Sequence, residues 1–278
     1  MIIDFHTHVF PADIRDNPGR YLDKDTCFAQ LYSQEKPRIA TAGDLIASMD
    51  AAGVDLSVIA GIAWSSRELC FETNDYIMES AARYRGRLIG LGSVQPFADW
   101  APEEVERCAR GGIRGIGELR PDESWLDASN SEAMARFTNA LKKHGLILLL
   151  HSTEPVGHSY PGKGDSTPAV LSRFIEHYPG LKIVLAHWGG GLPFYALMPE
   201  VKAALGNVWF DSAASPFLYA DDVYRRVASL AGEDRILFGS DYPLISQGRA
   251  IDEVNSLGLP ETVKTLFLGG NAMKLLGV

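Results

Sequence analysis

Short apolar, β-branched runs alternate with stretches of helical character from one end of the chain to the other. The runs cover positions 2–9, 54–62, 88–94, 113–119, 146–151, 182–187, 207–211 and 235–240. They are near-continuous in Ile, Val and Leu, which suits parallel strands buried on both faces. Most of the gaps between them fit one strand–helix unit of about 30 residues. Start and stop signals mark helices in the gaps. Thr41 leads into 44–51 with Gly53 as the stop, 72–85 ends at Gly86, and 131–144 ends at Gly145. Ser166 or Thr167 caps a helix with Pro168 in its first turn, and it runs to Tyr178. A further helix spans 221–230, and Pro260 opens the last, which runs through Leu268 or on to Leu276.

Eight strands, each followed by a helix, is the count of an α/β (β/α)8 barrel, a TIM barrel. A doubly wound open sheet competes, but it usually has fewer strands and a glycine-rich fingerprint after the first. Here the first strand carries His6-Thr7-His8 instead. A long loop is expected after strand 1, over positions 10–40, with the character of a lid, a binding loop or a surface insertion.

Composition narrows the class. The 278 residues are 46% apolar and 22% charged, enough for one sizeable core, and with no linker or repeat the whole of 1–278 reads as one domain. The formal net charge of −9 argues against non-specific nucleic-acid binding. The longest apolar run, 146–150, is far short of a bilayer span. The stretch Met1-Ile2-Ile3-Asp4-Phe5-His6 does not read as a signal peptide, so the expected location is cytoplasmic. Cys27, Cys70 and Cys108 are few, odd in number and dispersed, which argues against disulfides and a cysteine zinc site. The sequence leaves a homo-oligomer open.

Chemistry enters through position. Barrel active sites sit at the C-terminal ends of the strands. There the chain places His6 and His8, two apart and so on one face of strand 1, then Glu118, His151, His187 and Asp241. Each interrupts an apolar pattern where a core strand would favour Val or Leu. Together they compose a divalent-metal site, with Zn2+ as first choice and Mn2+, Fe2+ or Co2+ as others, one or two ions in number. Glu118 has a second reading, as the partner of Arg114 or Arg120.

The segments Asp4-Phe5-His6-Thr7-His8, His151-Ser152-Thr153-Glu154-Pro155, Ala186-His187-Trp188-Gly189-Gly190 and Phe238-Gly239-Ser240-Asp241-Tyr242-Pro243, with Asn271-Ala272, resemble the amidohydrolase superfamily. Their order over the whole chain points to its amidohydrolase-related branch. The resemblance implies a metal-dependent (β/α)8 enzyme. His6 and His8 would bind one metal. His151 and His187 would bind a second, or be shared between metal and substrate. Asp241 would be both ligand and proton acceptor. Many members bridge two metals with a carboxylated lysine on strand 4; Glu118 stands there instead, similar to TatD-type deoxyribonucleases.

The expected activity is hydrolysis of a small amide, ester or lactone by metal-activated water, with Asp241 as the proton acceptor. In a one-metal version His187 polarises the carbonyl or acts as acid–base. Decarboxylation or hydration of an aromatic or unsaturated acid is the alternative. A TatD-like nuclease ranks below it, and a metal-binding protein without catalysis last. Arg120 is a candidate clamp for a substrate carboxylate or phosphate. His158, Tyr160 and Lys163, in the loop after strand 5, and Trp188, as an apolar wall, are further substrate-side candidates. Gly157 to Gly162-Lys163 has phosphate-loop spacing, but Gly164 replaces the required Ser/Thr, so nucleotide hydrolysis is not expected.

Overall fold

A computed structural model describes residues 1–125 and 131–278. Its eight strands are β1 Ile3–His8, β2 Leu56–Ala60, β3 Leu88–Gly92, β4 Gly115–Leu119, β5 Ile147–Leu150, β6 Lys182–Leu185, β7 Val208–Asp211 and β8 Ile236–Leu237. They follow one another in sheet order, each parallel to the next. Phe5 N donates to Phe238 O at 2.8 Å, Asp241 N to His6 O at 2.9 Å and His8 N to Tyr242 O at 2.7 Å. These bonds bring β1 back to the segment after β8, so the sheet curls into the expected TIM barrel.

Alternation along the strands separates two apolar layers. Ile59, Leu148, Leu150, Ile183 and Phe210 pack with helix residues such as Leu45, Phe137 and Phe174. Val58, Leu91, Leu149, Val184 and Leu237 form a second cluster, which Ala272 and Leu275 of the C-terminal helix Asn271–Leu276 join. The first layer faces the helical coat, and the second fills the barrel. His151 and Asp241 continue the inward alternation of Ile147 and Leu149 on β5 and of Leu237 on β8.

Helix termini follow their capping residues. Thr41 and Asp44 form a capping box for Ala42–Ala52, and Gly53 ends it in the left-handed region. Ser131 caps Glu132–His144 and Gly145 closes it. The expected 72–85 helix begins earlier, as Arg67–Arg83, because Ser66 accepts from Leu69 N. The last helix runs on to Leu276: Glu261–Thr265 and Asn271–Leu276 are joined through a wider helical turn, Leu266–Gly270. Helices Ala101–Arg110 and Gln247–Ser256 add to those expected; the first has Pro102, Glu103 and Glu104 in its first turn and Gly111 at its end. No helix among the described residues is long and apolar enough to cross a membrane.

The 10–40 segment corrects the expected loop. It holds helices Ala12–Asp16, Pro18–Arg20 and Thr26–Tyr32. Its aromatics explain the order: Phe10, Tyr21 and Phe28 are buried around Trp64 in a small core of their own, with Phe28 stacked on Trp64 at 5.1 Å. Asp25 caps the third helix through Phe28 N and also holds Ser65 N and Oγ, tying the segment to the loop after β2.

Candidate active site

Irregular pairing re-aims two of the site strands. Between Asp4 and Thr7, β1 has one residue more than β2 opposite it, and β4 has one more than β5 between Ile116 and Leu119. An extra residue turns the side chains that follow, and here they are the His6/His8 pair and Glu118.

The rings are held from behind. His6 Nδ1 lies 2.8 Å from Asp211 Oδ2, His8 Nδ1 2.9 Å from Gly61 O and His187 Nδ1 3.0 Å from Ala213 O. With each Nδ1 donating to these acceptors, the Nε2 atoms face inward, the arrangement that orients metal-binding imidazoles. His6 Nε2 and His8 Nε2 approach to 3.1 Å. Two ring nitrogens bound side by side to one ion at about 2.1 Å are about 3 Å apart. Asp241 Oδ1 stands 3.4 Å from His8 Nε2 and 3.8 Å from His6 Nε2. Glu118 faces both ways: Oε2 lies 3.6 and 3.7 Å from the same two nitrogens, while Oε1 lies 2.9 Å from His151 Nδ1 and 3.4 Å from His187 Nε2. His6, His8 and Asp241 therefore converge on one point, and Glu118, His151 and His187 on another.

The charges show what this ring of groups calls for. Burial pulls His6 down, but Asp211 and Glu118 overcome it and hold His6 well above its ordinary value. Burial also opposes charge on His187, and Glu118 still raises it to about 9. Burial would raise Glu118; His6 and His151 keep it well below the usual carboxylate range. Asp241, likewise against burial, is lowered to about 2 by His8, His6 and His187. His151 is lowered, because burial outweighs Glu118, and its buried Nε2 has no hydrogen-bond partner. Two ionised carboxylates thus keep positive charge among the imidazoles. A divalent cation meets that demand by replacing the protons, so the residues present fit a metal.

Asp211 is the residue that sequence reasoning missed. It ends the apolar run of β7 as the other polar residues end theirs, and that was the available signal. Its Oδ1 accepts from His187 N and Ala213 N while Oδ2 holds His6, so one carboxylate orients two of the imidazoles. Asp211→Asn is expected to weaken metal affinity about 10- to 100-fold with the fold intact, as read by metal titration beside a thermal melt. Unchanged affinity would remove this orienting role.

The substrate-side expectations divide. Trp188 corrects the expected wall: its indole is fully buried, Nε1 donates to Ser215 Oγ at 3.1 Å and the ring meets Tyr224 edge-on at 4.7 Å. The backbone explains it, because Trp188 to Gly191 all have left-handed φ, which turns Trp188 away into the core. At Gly190 an added Cβ would stand 2.5 Å from Thr153 O, so the glycines here allow close packing against the β5 loop. His158 is exposed, with its ring 5.6 Å from Tyr160. Tyr160 is half-buried and donates to Glu154 Oε2 at 2.9 Å. Arg120 is half-buried and pairs with neither Glu118 nor another described carboxylate; its partners are Cys27 Sγ and Gly162 O.

A family model described as Amidohydrolase matches residues 3–278. A 6-methylsalicylic acid decarboxylase of Penicillium expansum is 28% identical over 314 aligned residues, 98% of this chain and 95% of that protein. A 2-amino-3-carboxymuconate-6-semialdehyde decarboxylase of Dictyostelium discoideum is 23% identical over 99% of this chain and 91% of its own length. Among solved structures, 5-carboxyvanillate decarboxylase of Novosphingobium aromaticivorans, complexed with manganese and 4-hydroxy-3-methoxy-5-nitrobenzoic acid, matches with a TM-score of 0.81 at 20% identity, covering 100% of this chain and 96% of that one. These relatives correct the leading expectation: they are decarboxylases, which favours the alternative reading over hydrolysis.

Proposed function

The chain belongs to the amidohydrolase family, and on that premise we propose that it is a divalent-metal-dependent decarboxylase of an aromatic or unsaturated carboxylic acid. The observation that carries this reading is the end-to-end similarity to two curated decarboxylases. The ring of imidazoles and carboxylates at the barrel mouth is chemically suited to it.

In this reading His6, His8 and Asp241 hold one ion, with Glu118 Oε2 facing them. A mixed imidazole–carboxylate set accepts Zn2+ or Mn2+; Mn2+ takes first place here, since a similar structure contains it. When bound, the ion supplies a fixed positive charge that holds the acid's oxygens and stabilises negative charge developing in the ring.

The chain's own residues handle the proton. Loss of CO2 breaks a C–C bond and leaves its electron pair on carbon, which must then be protonated. Hydrolysis asks for a base, whereas this reaction asks for an acid. In this reading His187 is the acid, and it delivers the proton to that carbon from Nε2. Its Nδ1 bond to Ala213 O fixes the direction. Glu118 stabilises the protonated imidazole from 3.4 Å.

The test is CO2 release from the Mn2+-loaded protein across a panel of hydroxylated benzoic acids and unsaturated acids. Release from at least one of them, abolished by a chelator, is the expected result. Turnover of esters or lactones with no CO2 from any acid would return the chain to hydrolysis.

A further inference from the structure

One buried carboxylate takes no part in the chemistry above. Asp4 interrupts the apolar pattern of β1 two residues before His6 and is fully buried. Its Oδ1 accepts from Ser240 N at 2.9 Å and from His6 N at 3.3 Å. Its Oδ2 accepts from Ser240 Oγ at 2.6 Å and from Gln247 Nε2 at 2.8 Å. All of these donors are neutral, and among the described residues no cation pairs with Asp4. A buried charge without a counter-ion is costly. Donors aimed at it from every side nevertheless call for a group that only accepts.

Most of these bonds converge on the segment that carries Asp241. Ser240 Oγ, while donating to Asp4, accepts from Tyr242 N at 3.0 Å. Asp241 N donates to His6 O at 2.9 Å. The successive amides of Ser240, Asp241 and Tyr242 are thus all held by β1, directly or through Ser240 Oγ. Asp241 needs that hold. Its φ of 59° lies in the left-handed region, which a residue other than glycine seldom adopts, and such a conformation persists where the surrounding bonds over-determine it. The same carboxylate takes His6 N, in the stretch where β1 carries its extra residue. Its remaining bond points elsewhere: Gln247 Nε2 also donates to Ser57 Oγ on β2 at 3.1 Å, which ties the helix Gln247–Ser256 to the barrel.

We propose that Asp4 is a positioning residue of the metal site: acting through Ser240 and the His6 amide, it holds Asp241 against His6 and His8 at the separation that one ion requires. The inference rests on the metal site of the proposed function and not on the acid that is decarboxylated. Ligands held in place before the ion arrives bind it more tightly than ligands the ion must order itself. Asp211 orients imidazole rings through their side chains; Asp4 works one level further back, on the backbone that joins the β1 ligands to the β8 ligand. A structural staple between the helix Gln247–Ser256 and the barrel would need only the Gln247 bond, whereas three of the four donors belong to Ser240 and His6.

Titration of the metal-free chain with Mn2+, beside thermal melts of the same samples, tests this without turnover. Asp4→Asn keeps the side chain's size but sets an N–H2 group against donors. It is expected to weaken Mn2+ binding about ten-fold, the lower end of the range for groups that support metal ligands. Gln247→Ala cuts the bond that leads away from Asp241, so it should lower the melting temperature while Mn2+ affinity stays within about two-fold of native. Ser240→Ala should weaken Mn2+ as Asp4→Asn does, and the two together should be no worse than the stronger alone within about two-fold, because they interrupt one connection. If Asp4→Asn does not fold, Ser240→Ala decides. Native affinity in folded Asp4→Asn, or in Ser240→Ala where that variant decides, overturns the proposal. So does a loss in Gln247→Ala as large as in Asp4→Asn, which would make the role structural only. Equal Mn2+ binding by the native chain and Asp4→Asn would sink this inference alone. A native chain that takes up no Mn2+ or other divalent ion would sink it together with the metal site on which it rests.

Discussion

Asp241→Asn is expected to lower CO2 release about 1,000-fold or more, and chelation of the native protein to abolish it. The ion is asked to supply several kcal/mol of charge stabilisation, and each 1.36 kcal/mol is tenfold in rate. The substitution removes a carboxylate whose Oδ1 meets both His8 Nε2 and His6 Nε2, at 3.4 and 3.8 Å. It keeps the side chain's size and the Asp241 N to His6 O bond that closes the barrel. Metal content by mass spectrometry should fall with the rate, and Mn2+ should restore the chelated native enzyme. Full turnover by metal-free protein would defeat the metal-dependent reading, and an Asp241→Asn enzyme with normal metal content and rate would remove Asp241 from the site.

His187→Asn should separate protonation from binding. Removing a general acid costs about 10²- to 10⁴-fold. The loss is expected in kcat, with metal content and KM within about two-fold of the native values, because in this reading His187 protonates carbon and does not hold the ion. The scaffold around it is independent of the ring: Asp211 Oδ1 binds the His187 backbone N, which asparagine retains. Loss of metal together with rate would make His187 a ligand instead, and an unchanged kcat would place the proton on another group.

Much of this centre is legible in the chain. Polar residues that interrupt apolar runs at strand ends placed His6, His8, Glu118, His151, His187 and Asp241 at one rim before any fold was in view, and all six come together there. The same rule applied to the end of β7 would have added Asp211. The signal does not tell a carboxylate behind a histidine from one in front of it, so its orienting role is visible only in the fold. Trp188 shows the opposite error. Adjacency to His187 suggests a pocket wall, but in a run of five left-handed residues, His187 to Gly191, the indole turns into the core. The length of the 10–40 segment suggests a loop, while its order comes from packing against Trp64, contributed by the loop after β2.

The sequence by itself determined the barrel and the inward polar ring, because strand periodicity and the break in an apolar run are local properties of neighbouring residues. Only the tertiary structure decided which groups stand behind the ring and which charges stay unpaired. His6 meets Asp211 across 205 positions, and Arg120 meets Cys27 across 93. Burial, tautomer and protonation at this site depend on such contacts, which exist only once the strands have closed around it.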